Sequence, residues 1–312
     1  MIRTNGILAR EKAGERDTDH ERFAHQPDLD DQAADLRRMA AAQTAPTPIV
    51  LAVASGKGGV GKTNVAVNLG AVLAGRGHRV TLVDTDIGLA NADVLVGVQP
   101  PHHLGHVLTR QRSLGQVAVP TPSGMRLVAG ATAGSRMADA WRSGGGAALG
   151  QIRRADCDFV ILDCGAGLGH VVLDCAKCAD HVMIVTTPEP PALADAYAAV
   201  KTLLAEGYAS RISILLNMVD SRADAKAAVQ RFNKVAAKFL KITVADAGYI
   251  LHDTHVELAV RKRSPFVLCY PKCSASACVT AVSHRLFKPA QRRPAGRGLL
   301  RRALGARFAE AK

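Results

Sequence analysis

Val53–Val67 reads VASGKGGVGKTNVAV. An apolar run ends near Ala54, glycines follow, and apolar residues at helical spacing begin near Thr63. Gly56, Gly61, Lys62 and Thr63 fit G-x-x-x-x-G-K-[ST], the phosphate-loop pattern. Between a strand and a helix, such a loop turns free backbone N–H groups and the helix N-terminus toward a β-phosphate. Gly56, Lys57, Gly58, Gly59, Val60, Gly61, Lys62, Thr63 and Asn64 are therefore expected to bind nucleotide, with Lys62 on the β/γ-phosphates and the Thr63 hydroxyl on Mg²⁺. One lysine suffices for this chemistry, yet Lys57 adds a second directly after the first glycine.

Outward from the loop, strand-like and helix-like stretches alternate. PIVLAVAS, HRVTLVDTD, GMRLVAG, DFVILDCGAG, DHVMIVTTP and RISILLNMVD are β-branched and nearly continuously apolar, as strands buried on both faces of a parallel sheet are. TNVAVNLGAVLAGRG, PALADAYAAVKTLLAEG and DAKAAVQRFNKVAAKFL carry apolar residues at helical spacing. The alternation predicts an α/β fold: one doubly wound, mostly parallel sheet of the P-loop NTPase type over residues 49–290. Residues 1–48 lack apolar periodicity apart from a short helix near DLDDQAADLRRMA and end in an Ala/Thr/Pro linker, so they read as a flexible extension. Residues 291–312 read as a basic tail.

The bulk numbers agree with a globular core plus appendages. The chain has 312 residues, 48% of them hydrophobic and 21% charged. No apolar run approaches the ~20 residues that span a bilayer, and the N-terminus has no signal-peptide core, so a cytoplasmic location is expected. Seven cysteines in such a chain read as reduced thiols. The net charge of +13 suggests an acidic partner. Its densest patch is 288–312, with eight basic residues against one acidic.

Acidic residues stand where a phosphate site needs them. Asp84 closes one strand-like run, and Asp86 lies on the same side of an extended backbone. Asp163 ends the apolar run DFVILD, the layout of a Walker B carboxylate that holds Mg²⁺, and Gly165 and Gly167 after it permit backbone movement. Asn217 and Asp220 have the N-x-x-D spacing of a guanine-reading motif, but Met218 replaces its usual lysine.

KGGVGKT with Lys57 resembles the deviant Walker A loop of the MinD/ParA ATPases, over roughly Ile49–Phe287. The resemblance implies ATP with Mg²⁺ and an ATP-dependent homodimer in which Lys57 crosses to the neighbouring subunit's nucleotide. It makes Lys57, Lys62 and Asp86 catalytic, with Asp86 orienting water. It assigns Thr63, Asp84 and Asp163 to Mg²⁺, Gly165 and Gly167 to switch II, and Asn217 to adenine. DCGAGL, VTTPEPPALADAYAAVK and LAVRKRSPFVLCYPKCSASACV resemble the flagellar FlhG subfamily, with Cys273 in place of a small polar residue. Asp31–Arg37, DQAADLR, matches that subfamily's activator motif D-Q-A-x-x-L-R. Through Asp31, Gln32, Ala33, Leu36 and Arg37 it implies stimulation of an SRP-type, FlhF-like flagellar GTPase. Flagellar switch or C-ring proteins are further partners consistent with the subfamily.

In the tail, Leu299, Leu300, Leu304 and Phe308 form an apolar stripe flanked by arginines. This predicts an amphipathic helix on the anionic inner face of the cell membrane, with a disordered basic tail as the alternative because Gly298 and Gly305 weaken the helix. Cys175-x-x-Cys178 reads as two buried thiols, with a metal or iron–sulfur site as the alternative. A DNA-partitioning ATPase using diffuse basic charge remains the competing function class, although nucleic acid is not the expected partner. DQAADLR favours the flagellar reading.

Overall fold

The computed structural model describes residues 47–131, 134–208 and 210–287. One eight-stranded sheet forms from β1 (Ile49–Ser55), β2 (Val80–Thr85), β3 (Val119–Pro120), β4 (Arg126–Val128), β5 (Phe159–Ala166), β6 (His181–Thr186), β7 (Arg211–Val219) and β8 (Ala245–Leu251). Its order is β3-β4-β2-β5-β1-β6-β7-β8. Every neighbouring pair is parallel except β3 with β4. All six strands expected from the sequence are present, and the mostly parallel α/β sheet is as expected. β3 and β8 are additions.

The central strands are buried along their length because both sheet faces are covered. One face carries Val50, Ala52, Leu162, Val182 and Ile184; the other carries Leu51, Val53, Ile161, Met183 and Leu215. Burying each of the larger of these side chains contributes roughly 1.5–3 kcal/mol before chain entropy is charged against it. The helices are α1 (Lys62–Gly75), α2 (Ala92–Val96), α3 (Leu104–Leu108), α4 (Leu114–Val117), α5 (Gly134–Ile152), α6 (His170–Cys178), α7 (Pro190–Ala205), α8 (Arg222–Leu240), α9 (Thr254–Arg261), α10 (Phe266–Cys269) and α11 (Ser274–Leu286).

Local chemistry sets their ends. α7 starts on Pro190 and Pro191, whose missing N–H groups cost nothing in a first turn. The Ser221 hydroxyl caps α8 by accepting from Asp224 N at 3.1 Å, and Asp253 caps α9 by accepting from His255 N at 3.0 Å. α5 contains Gly144–Gly146, poor helix formers, and packing requires the first of them: a Cβ on Gly144 would run into the Leu108 carbonyl oxygen. α3 thus crosses α5 almost backbone to backbone. Among the described residues, no helix is long and apolar enough to cross a membrane.

Candidate nucleotide site

The crevice lies at the carboxyl ends of the parallel strands, where open α/β sheets bind ligands. β1 ends in a register break between Val53 and Ser55, and the phosphate loop leaves from it. The Ser55 hydroxyl donates to the Lys57 carbonyl at 2.6 Å, tightening the turn. Gly59 and Gly61 have φ of 79° and 85°, the left-handed region that glycine enters without strain. A Cβ on Gly56 would run into the Asp195 carbonyl oxygen on α7. Val60 is buried and anchors the loop in the core. Gly61 caps α1, so Lys62 and Thr63 sit in the helix's first turn; Lys62 is buried and Lys57 exposed.

Asp84 and Asp163 are register partners on adjacent β2 and β5. The Asp84 carboxylate accepts from the N–H groups of Asp86 (3.0 Å), Asn91 (3.1 Å) and Ala92 (3.1 Å). It thereby organises the loop after β2. Burial pushes its pKa up to about 6, while those three N–H groups oppose the shift. Both Asp163 carboxylate oxygens are buried with no hydrogen-bond partner among the described residues. Burial, then the Asp84 charge, raises the Asp163 pKa well above the usual range, and the Thr63 hydroxyl and Lys62 ammonium pull it back. A buried carboxylate short of partners, beside a hydroxyl and a lysine, suits a divalent cation carried by a phosphate chain.

Asp86 reaches the segment after Asp163: a Cβ on Gly165 would lie 3.2 Å from Asp86 Oδ1. Gly167 has φ 75°, and its N–H donates to the Ser55 carbonyl at 3.1 Å, joining the segment after β5 to the base of the phosphate loop. The Asn217 amide donates to the Val60 carbonyl at 2.8 Å, so β7 touches the same loop. The structure therefore gathers Gly56–Thr63, Asp84, Asp86, Asp163, Gly165 and Asn217 around one crevice. The Glu189 carboxyl is held below its ordinary value chiefly by the Thr187 hydroxyl, with a smaller contribution from the Lys57 charge. Among the described residues Lys57 forms no ion pair.

Sequence reasoning missed the wall beside Asn217. Met218, His252 and Val256 line a cleft there with Gly61, Asn64 and Asn217. Met218 sits at φ 56°, and its methyl lies 3.4 Å from where a Cβ on Gly61 would stand. β8 lies parallel beside β7, so residues just past its end had to reach this crevice; recognising β8 would have found them. Of the CxxC pair, Cys175 is fully buried and Cys178 half-buried. The Cys175 thiol donates to Thr85 Oγ1 at 3.7 Å. The proposed activator residues Asp31, Gln32, Ala33, Leu36 and Arg37, and the tail residues Leu299, Leu300, Leu304 and Phe308, lie outside the described residues.

A family model described as "ParA: NUBPL iron-transfer P-loop NTPase" matches residues 47–287. The antiactivator FleN of Pseudomonas aeruginosa is 35% identical over 240 residues, 76% of this chain and 85% of that protein. The flagellum site-determining protein YlxH of Helicobacter pylori is 34% identical over 219 residues, 68% of this chain and 73% of that protein. The septum site-determining protein MinD of Pyrococcus horikoshii, solved with Mg-ADP, shares the fold at TM-score 0.67 and 24% identity, covering 77% of this chain and 96% of that one.

Proposed function

Because the chain belongs to the ParA/MinD family of P-loop NTPases, we propose that it is a Mg²⁺-dependent ATPase that regulates flagellation. The observation that carries the chemistry is the Asp163 carboxylate, buried without a hydrogen-bond partner among the described residues and influenced by both Thr63 and Lys62. Thr63 and Asp163 would hold Mg²⁺, which would supply neutralisation of the phosphate charge when bound. Lys62 and the loop N–H groups cradle the phosphates. Asp84 fixes the loop that presents Asp86, and Asp86 orients the attacking water. Asn217 and the cleft beside it face the base.

The regulatory reading rests on FleN and YlxH, whose names concern flagellar antiactivation and flagellar site determination. ATP joins two copies, and each Lys57 reaches the other's phosphates. Residues 1–48 carry the segment that stimulates an FlhF-like GTPase, with Gln32 at its centre. The tail binds the inner membrane surface through Leu299, Leu300, Leu304 and Phe308. The iron-transfer description of the family model supplies a competing reading. Cys175 is sealed in the core beneath Thr85, which favours a packing role for that thiol.

Two assays test the proposal. Purified chain is expected to hydrolyse ATP with Mg²⁺, Lys62→Ala to abolish turnover, and Asp86→Ala to block turnover while still binding ATP. Hydrolysis surviving Lys62→Ala would overturn the site. Deleting the gene in its host should change flagellar number or position; unchanged flagellation would overturn the regulatory role.

A further inference from the structure

α8 returns from the nucleotide end of β7 toward the opposite end of the sheet, so its last two turns lie far from the crevice. There Val235 is 42% exposed and Phe239 63% exposed. Arg231, Lys234 and Lys238 recur with them at three- and four-residue intervals, placing cations and apolar groups on one side of the helix. Lys241 extends the basic edge past the helix end. Among the described residues none of these four cations forms an ion pair, and the Lys238 ammonium lies 5.1 Å over the Phe239 ring. The patch is held in shape. Asn233 donates to the Val244 carbonyl at 3.1 Å and accepts from Val244 N at 2.9 Å, while Lys241 turns the chain at φ 58°.

We propose that this end of α8 docks on an anionic phospholipid bilayer, inserting Phe239 and Val235 while Arg231, Lys234, Lys238 and Lys241 meet the headgroups. Charge complementarity selects this occupant. A second copy presenting the same face would set basic residues against basic residues. An interfacial helix needs an apolar edge flanked by long cationic side chains that bury their stems and keep their charges at the headgroups. Each basic residue brought to an anionic surface strengthens partitioning about fivefold. Because the patch lies at the end of the sheet away from the phosphate loop, docking leaves the crevice free to meet nucleotide and another subunit. This surface is separate from the proposed C-terminal anchor and acts without it.

The test uses the full chain carrying Phe239→Trp and vesicles of phosphatidylglycerol with brominated acyl chains, which quench indoles that enter the bilayer. The natural sequence has one tryptophan, Trp141, only 2% exposed, so the unsubstituted chain supplies the blank. Emission from the introduced indole is expected to fall by about half relative to unbrominated vesicles, as suits an apolar side chain seated at the acyl boundary, with little change in the blank. Lys234→Glu combined with Lys238→Glu should weaken vesicle sedimentation about tenfold or more. Equal quenching of blank and variant on sedimented vesicles would overturn the proposal, whatever the tail does. No sedimentation with anionic vesicles would overturn it too. If the double charge reversal lost duplex DNA retention but kept vesicle binding, the face would belong to nucleic acid and the proposal would fall.

Discussion

The Thr85 hydroxyl donates to the main-chain carbonyl of Asp163 at 2.9 Å. It lies between Asp84 and Asp86 in sequence, is fully buried, and accepts from the Cys175 thiol at 3.7 Å. One hydroxyl therefore joins the strand bearing Asp84, the strand bearing Asp163, and the helix that follows Gly167. Thr85→Val keeps the shape and removes the bond, leaving a buried carbonyl and thiol short of a partner. The expected cost is about 1–3 kcal/mol in urea unfolding, with correct folding at low denaturant. An unchanged midpoint would show that the bond carries no net energy.

Lys57 is exposed in a single copy, so its proposed work needs a second one. The Asp86→Ala chain is expected to be monomeric without nucleotide and dimeric with Mg-ATP. Adding Lys57→Ala should prevent dimerisation while leaving some nucleotide binding. Light scattering that finds the same ATP-bound dimer in the doubly substituted chain would refute the exchange of lysines.

Gly61 tolerates no side chain for two reasons. Its φ is 85°, and a Cβ would run into Asn217 Nδ2. Gly61→Ala should shift the loop off Asn217 and weaken ATP binding about tenfold or more by calorimetry, since strain of roughly 2 kcal/mol falls directly on the phosphate cradle. Affinity within about twofold of the natural chain would show the loop to be pliable.

His181 supplies a pH signature. It is buried, its Nε2 lies 2.7 Å from Ser213 Oγ, and burial, then the Arg211 charge, lowers its pKa from 6.5 to about 4. The unfolded chain binds this proton first as pH falls. The neutral ring's contribution is therefore complete above pH 6.5 and lost progressively toward pH 4, by about 3 kcal/mol. Asp84, raised to about 6, acts in the opposite sense over much of that window, so total stability conceals the effect. The difference between natural chain and His181→Gln isolates it: their stability gap should shrink as pH drops from 6.5 to about 4. A gap constant with pH would mean that His181 titrates normally.

The phosphate loop, the six internal strands and Asp163 were legible because each is written locally, as a glycine pattern or an apolar run ending in a charge. β8 was not. ADAGYIL carries Asp246 and a Gly248 at φ 117°, and its pairing with β7 shifts register twice, so no clean alternation marks it. α5 was hidden by Gly144–Gly146, of which Gly144 is required by the passing Leu108 carbonyl rather than by helix propensity. The contact of Asn217 with Val60 spans 157 positions, and only strand order reveals it. Asp84 was read for its charge, while its structural work, gathering three N–H groups of a loop, follows from geometry alone.

The sheet's two borders bear on crowding. On one side it stops at the two-residue β3, where Pro120 has no N–H to offer an incoming strand. On the other, β8 is kinked by its register shifts, and α11 packs against it so closely that a Cβ on Gly248 would lie 3.1 Å from Val282 Cγ2. Neither border is a flat template that a sister molecule could extend. Strand-to-strand pairing between copies is therefore disfavoured at both borders, which guards the protein against edge-on aggregation when it is crowded.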